Sequence, residues 1–137
     1  ANSMAQSSSA EVNRQPTNDE LHQIVTQFIG NYNQGDLEAF MSLLDENVRT
    51  DEPGGWMGIY QAYERLFNRS LSREIVLRNL QWQRSGEAVI GRPNYRVTIS
   101  RPGDKASHLY TGVLKIEVAM LGGRPMITGF FNKADIK

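Results

Sequence analysis

The stretch Phe28-Ile29-Gly30-Asn31-Tyr32-Asn33-Gln34-Gly35-Asp36-Leu37-Glu38-Ala39-Phe40-Met41-Ser42-Leu43-Leu44 reads as two helices joined by a very short hinge. Phe28, Ile29 and Tyr32 continue an apolar stripe that begins with Leu21, Ile24 and Val25 at three- and four-residue spacing, the period of a helix with one buried face. Asn33-Gln34-Gly35 stops that helix, because glycine adopts the left-handed conformation of a helix end without a steric penalty. Asp36 is placed to cap the next helix, which carries Leu37, Phe40, Met41, Leu43 and Leu44. The stretch is therefore a helical hairpin.

Working upstream, Thr17-Asn18-Asp19-Glu20 has the spacing of a capping box and sets the start of the first helix. Residues 1–16 are small and polar with no apolar period, and such a segment does not offset its own ordering entropy. They read as a flexible tail or linker ahead of one domain at 17–137. A native start at Met4 and a piece cut from a longer protein both fit. The tail lacks the apolar core of an intact signal peptide. The compartment stays open between the bacterial cytoplasm and an exported, periplasmic fragment.

Working downstream, Val48–Glu52 reads as a short extended segment broken by Pro53-Gly54-Gly55. A third helix carries Ile59, Ala62, Tyr63, Leu66 and Phe67 and stops near 68–70. From Arg73 the pattern turns to strands, with candidates at 73–84, 86–100, 106–121 and 125–134. Turns fall at Ser85-Gly86, Pro102-Gly103-Asp104 and Gly122-Gly123. In the third strand Tyr110, Leu114, Ile116, Val118 and Met120 share one face, and Thr111, Lys115 and Glu117 the other. Helices first and then consecutive strands with tight turns make an α+β domain: three N-terminal helices packed on a curved antiparallel sheet. Such a sheet can close into a cone with an interior deeper than side chains fill, hence a pocket.

Composition removes several function classes. Lys plus Arg is 15 and Asp plus Glu is 15, so bulk charge does not draw the chain to nucleic acid or an anionic membrane. No apolar run is long enough for membrane insertion. There is no cysteine, which removes thiolate chemistry and cysteine-held metals, and His22 and His108 have no partners at ligand spacing, so no metal is expected. Gly54, Gly55, Gly58, Gly122 and Gly123 do not form a phosphate-cradling loop, and no cofactor is expected.

The hairpin at 28–44, the extended segment ending Asp51-Glu52-Pro53, then Gly58 and the Ile59–Phe67 helix resemble the NTF2-like (cystatin-like) superfamily over about residues 17–134. The resemblance implies the α+β cone. It also implies a range of roles, because the superfamily includes ketosteroid isomerase, scytalone dehydratase, limonene epoxide hydrolase, SnoaL-like cyclases, transport factors and non-catalytic accessory domains. Set against the isomerase, the general-base Asp falls on Glu52, beside Pro53. The oxyanion-hole Tyr falls on Phe28, which has no hydroxyl, and the second donor falls near Gly112–Val113, where there is no acid. Those donors supply the largest catalytic term for that reaction, so steroid isomerisation is not expected. The superfamily commonly dimerises through the sheet, and a homodimer packing through Gly112, Leu114, Ile116 and Phe130 is the partner expectation.

The residues themselves offer these candidates. Asp51 and Glu52 are adjacent, so in an extended segment at most one faces the cavity; Glu52 facing in is a general-base candidate, and facing out it is a solvated carboxylate. Phe28, Trp56, Tyr60, Tyr63, Tyr95 and Tyr110 line a pocket for a flat apolar ligand on one reading and are plain core on the other. Tyr32 lies one turn after Phe28 and can supply the hydroxyl that Phe28 lacks. His108, on a strand, is either a pocket residue or a structural histidine. Arg73, Arg78, Arg84, Arg92, Arg96 and Arg101 fall on two neighbouring strands and read as a solvated outer face, or as a dock for an acidic partner. Two functions follow. The first is an accessory domain that binds a small apolar or amphipathic molecule in the cone or a protein on its sheet. The second is a cofactor-independent isomerase, dehydratase or cyclase with Glu52 as base and Tyr32 as helper.

Overall fold

The computed structural model describes residues 14–135. Helix α1 spans Asn18–Gln34 and α2 spans Leu37–Ser42. They are followed by β1 (Leu44–Thr50), α3 (Gly55–Arg69), β2 (Ser72–Arg78), β3 (Trp82–Ser85), β4 (Ala88–Gly91), β5 (Asn94–Ser100), β6 (His108–Leu121) and β7 (Arg124–Ala134). The order is the α+β arrangement expected from the sequence, with the helices on a curved sheet.

The capping box is present: the Thr17 hydroxyl accepts from the Glu20 amide at 3.2 Å and the Glu20 carboxylate from the Thr17 amide at 2.9 Å. Gly35 ends α1 with φ +70°, and Asp36 caps α2 by accepting from the Ala39 amide at 3.1 Å. Of the expected tail, residues 1–13 lie outside the described residues. Residues 14–16 lie against the fold: Pro16 is fully buried, and Arg84 donates to the Gln15 side chain at 2.7 Å.

The second helix is shorter than its apolar pattern predicts. Leu43 and Leu44 leave it because the Leu43 carbonyl accepts from the Ile127 amide at 2.8 Å and Leu44 opens β1 opposite Ile127. Tertiary pairing here outweighs helical period. β1 runs parallel to β7, so the sheet is mixed, while every other pairing is antiparallel.

The strand candidate at 73–84 breaks at Asn79, whose φ is +59°. β2 therefore pairs with β5 while β3 pairs with β4. The candidate at 86–100 breaks at Arg92-Pro93, and the two pieces pair with different parts of β6, β4 at 116–118 and β5 at 108–113. β6, long enough to serve β4, β5 and β7 at once, is the spine of the sheet.

An aromatic cluster sits at the centre of the core between sheet and helices. Phe40 of α2 packs 4.7 Å from Tyr63 of α3 and 5.2 Å from Phe28 of α1, centroid to centroid, and Phe28 reaches Phe130 of β7 at 5.9 Å. Each such pair adds about 0.5–1.5 kcal/mol to its area burial and locks three helices to one strand. Leu114, Ile116 and Phe130, named from the sequence for a sheet-face dimer, are instead buried on the inner face of the same chain. Gly112 is buried as well, and a Cβ there would lie 2.5 Å from the Tyr95 hydroxyl oxygen. Side-chain alternation explains this placement, since these positions share the parity of the core face.

Candidate functional site

The helices and the curved sheet enclose an open-mouthed cavity of about 370 Å³. Its wall is laid by alternation. Tyr95, Val97, Ile99 and Arg101 are the inward set of β5 and its extension, Tyr110 and Leu114 come from β6, Phe130, Asn132 and Ala134 from β7, and Ile75 from β2. On the helical side, Ile59, Ala62, Tyr63 and Leu66 form one face of α3, and Tyr32 comes from α1.

Polar groups gather at distinct places in this apolar wall. Thr50, Asp51 and Glu52 edge the cavity together. The expectation that only one carboxylate can face it presumed an extended chain. The strand instead ends at Thr50 and bends, with the Glu52 amide donating to the Thr50 hydroxyl at 3.1 Å and the Asn132 amide donating to Asp51 Oδ1 at 3.4 Å. The turn at Pro53 is pressed against α3: a Cβ on Gly58 would overlap the Pro53 carbonyl and lie 3.4 Å from Glu52 Cγ. Gly58 is thus what lets the helix approach the acidic edge.

Tyr32 is 4% exposed, and Tyr63 stands beside it with ring centroids 6.2 Å apart. Among the described residues neither hydroxyl has a hydrogen-bond partner. Burial pushes the pKa of both upward; for Tyr63 the neighbouring tyrosines and the Glu52 and Asp51 charges add to the rise, while Arg73 opposes it at Tyr32. Both are therefore proton-bearing donors at neutral pH rather than bases. The Tyr95 hydroxyl donates to Asn132 Oδ1 at 2.9 Å, and its pKa is also raised, chiefly by burial.

Of the residues singled out from the sequence, Glu52, Tyr32, Tyr63, Tyr95 and Tyr110 share this cavity. Phe28 lies beneath it in the core, 2% exposed. Trp56 and Tyr60 stack on each other at 5.7 Å and sit roughly a quarter-turn around α3 from the Ile59–Ala62–Tyr63 face, as helical geometry of about 3.6 residues per turn requires. Trp56 lines a separate polar cleft with Glu38, Asp45, Glu46 and Arg124, and Tyr60 Oη is 3.5 Å from Glu38. His108 lies outside as well, with its side chain half exposed and Nε2 3.3 Å from Asp104.

The arginines do not form one outer face. Arg73 turns under α1, Arg84 holds the N-terminal segment, and Arg101 reaches the cavity, leaving Arg78, Arg92 and Arg96 exposed. Arg101 and Asn132 were legible as cavity residues from strand parity, two positions on from Ile99 and Phe130. No group of three or more His, Asp or Glu side chains able to hold a metal occurs among the described residues, and no helix there is long and apolar enough to cross a membrane.

No protein-family model matches the sequence, and neither does any curated protein. Solved structures do match. An NTF2-like superfamily protein from Salmonella enterica superposes with TM-score 0.74 at 15% identity, covering 87% of this chain and 91% of its own. A protein assigned as a scytalone dehydratase from Novosphingobium aromaticivorans gives 0.76 at 10% identity, covering 86% and 83%. A cystatin-like protein of unknown function from Nostoc punctiforme gives 0.68 at 12% identity, covering 89% and 95%. The fold is the NTF2-like, cystatin-like cone.

Proposed function

We propose that the chain is a binding domain that holds a small, flat, largely apolar molecule in its cone without transforming it. The observation that carries this reading is the pairing of an apolar-walled cavity of about 370 Å³ with the unpartnered Tyr32 and Tyr63 hydroxyls. That volume takes a ligand of one or two fused rings, and two fixed donors can orient it. Neutral, proton-bearing tyrosines bind a carbonyl or hydroxyl oxygen without forcing a reaction on it. The test is a fluorescence titration with 2-naphthol. The wild-type chain binds it, and Ala62→Trp, which fills the cavity from α3, abolishes binding while the fold persists. Equal binding by Ala62→Trp would contradict the proposal.

A second reading has its own support: Asp51 and Glu52 edge the same cavity as those two donors. A carboxylate sharing a cavity with hydroxyl donors is suited to removing a proton next to a carbonyl, with Glu52 as base and Tyr32 and Tyr63 stabilising the enolate oxygen. Fold-level likeness to a protein assigned as a dehydratase makes this worth testing but does not choose it. In D₂O, this reading expects wild-type protein to speed deuterium exchange at the α-carbon of 2-tetralone and Glu52→Gln to remove about 10²-fold or more of that rate. Exchange no faster than buffer leaves binding alone.

A further inference from the structure

Arg101 occupies a place that the binding reading leaves unused. It continues the inward set of β5 into the cavity wall, where Nη1 donates to the Tyr110 hydroxyl at 3.3 Å and the guanidinium lies 6.0 Å from the centre of that ring. Stacked and singly bonded, it keeps most of its donor fork free. The ion pairs among the described residues join Arg14 to Glu20, Arg49 and Lys115 to Glu117, and His108 to Asp104, so the Arg101 guanidinium has no carboxylate partner there; only the Arg101 backbone amide meets one, donating to Asp104 Oδ2 at 3.0 Å. The cavity's own acids do not supply one. Asp51 and Glu52 follow β1, and the sheet places β7 and β6 between β1 and β5.

We propose that Arg101 selects ligands bearing a carboxylate, so that the cavity takes a flat, largely apolar carboxylic acid with its charged end at Arg101 and Tyr110 and its rings against Tyr63 and Leu114. This rests on the cavity being a binding site. A planar guanidinium held over an aromatic face presents parallel N–H groups that match the two oxygens of a carboxylate. Arg101 is partly buried where Arg78, Arg92 and Arg96 are exposed, and with Tyr110, 42% exposed, it stands at the open mouth of the cavity, where a carboxylate can reach it. Asp104, held at the Arg101 backbone amide at 3.0 Å, discourages a second negative charge there, so one monoanionic group fits better than a phosphate dianion.

The experiment is calorimetric titration of the whole chain with 2-naphthoate, 2-naphthamide and 2-naphthyl phosphate. The expected result is 2-naphthoate binding about tenfold or more tighter than 2-naphthamide, the range of a charge-assisted hydrogen bond. Arg101→Gln is expected to collapse that ratio to near one, and Arg101→Lys to keep part of it. Equal wild-type affinity for acid and amide, or an undiminished ratio in Arg101→Gln, would overturn the assignment while 2-naphthol binding left the cavity reading standing. Tighter binding of the phosphate would overturn the choice of carboxylate. No binding by any of these naphthalenes would sink both readings.

Discussion

At the residue scale, the site depends on one missing side chain and two unpartnered hydroxyls. Gly58 has no room for a Cβ, because the neighbouring atom is the Pro53 backbone carbonyl, which cannot swing aside like a side-chain end. Gly58→Ala is expected to lower stability by about 1–3 kcal/mol, the usual cost of overpacking, and to shift the Asp51-Glu52 edge. A lower urea midpoint together with weaker probe binding is the signature; an unchanged midpoint would mean the helix does not press on that turn. Tyr32 and Tyr63 hold their protons more tightly folded than unfolded. Their folded pKa values lie above the ordinary 10.0, so on raising pH past about 10 the unfolded chain loses these protons first and stability falls. Tyr63→Phe removes one such group, and its stability curve measured between pH 9 and 11 is expected to be flatter than the wild type's.

At the element scale, the ends of α1 are set by groups from outside the helix. Its last turn has no basic residue, and Arg73 of β2 fills that role, donating to the Tyr32 carbonyl at 3.1 Å and the Asn33 carbonyl at 3.3 Å. A cation at a helix C-terminus answers the exposed carbonyls and the dipole together. Arg73→Met is expected to cost roughly 2 kcal/mol, the scale of a charge-assisted hydrogen bond, and to speed amide exchange in the last turn of α1, where Tyr32 enters the cavity. At the other end, Arg14, the Thr17 amide and the Thr17 hydroxyl hold the Glu20 carboxyl down to about 2 from 4.5. Its stabilising contribution is therefore complete above about pH 4.5 and fades as pH falls towards 2. Glu20→Gln is expected to flatten that limb of the acid unfolding curve.

The same scale shows what was legible beforehand. The hairpin, its caps and α3 followed from helical period and end chemistry, which are local. The end of α2 at Ser42 and the parallel pairing of β1 were not, because both depend on β7, which lies about eighty residues away in the chain. The breaks at Asn79 and Arg92-Pro93 likewise reflect which part of β6 each strand meets. For the site, Glu52, Tyr32 and Tyr63 were within reach of the sequence, whereas Trp56 and Tyr60 were placed in the cavity by composition when helix phase turns them aside. Arg101 was grouped with surface arginines because its strand parity was not followed past Ser100.

At the scale of the whole molecule, the fold trades a filled interior for a hollow one. A cavity of about 370 Å³ forgoes packing that a solid core would have, and a ligand that enters it restores part of that contact. Binding to the folded state alone stabilises by mass action, about 2.7 kcal/mol when ligand stands at 100 times its Kd. Thermal unfolding is therefore expected to shift upward with 2-naphthoate concentration in wild-type protein and to stay put in Ala62→Trp.

The most direct test of the hollow cone follows the isoleucine δ-methyl resonances during a 2-naphthoate titration. Ile59, Ile75 and Ile99 line the cavity, whereas Ile24 and Ile127 are buried away from its wall and Ile90 lies on β4. Ring-current shifts confined to the first three would match the account. Shifts centred on Ile90, or none at any ligand concentration, would contradict it.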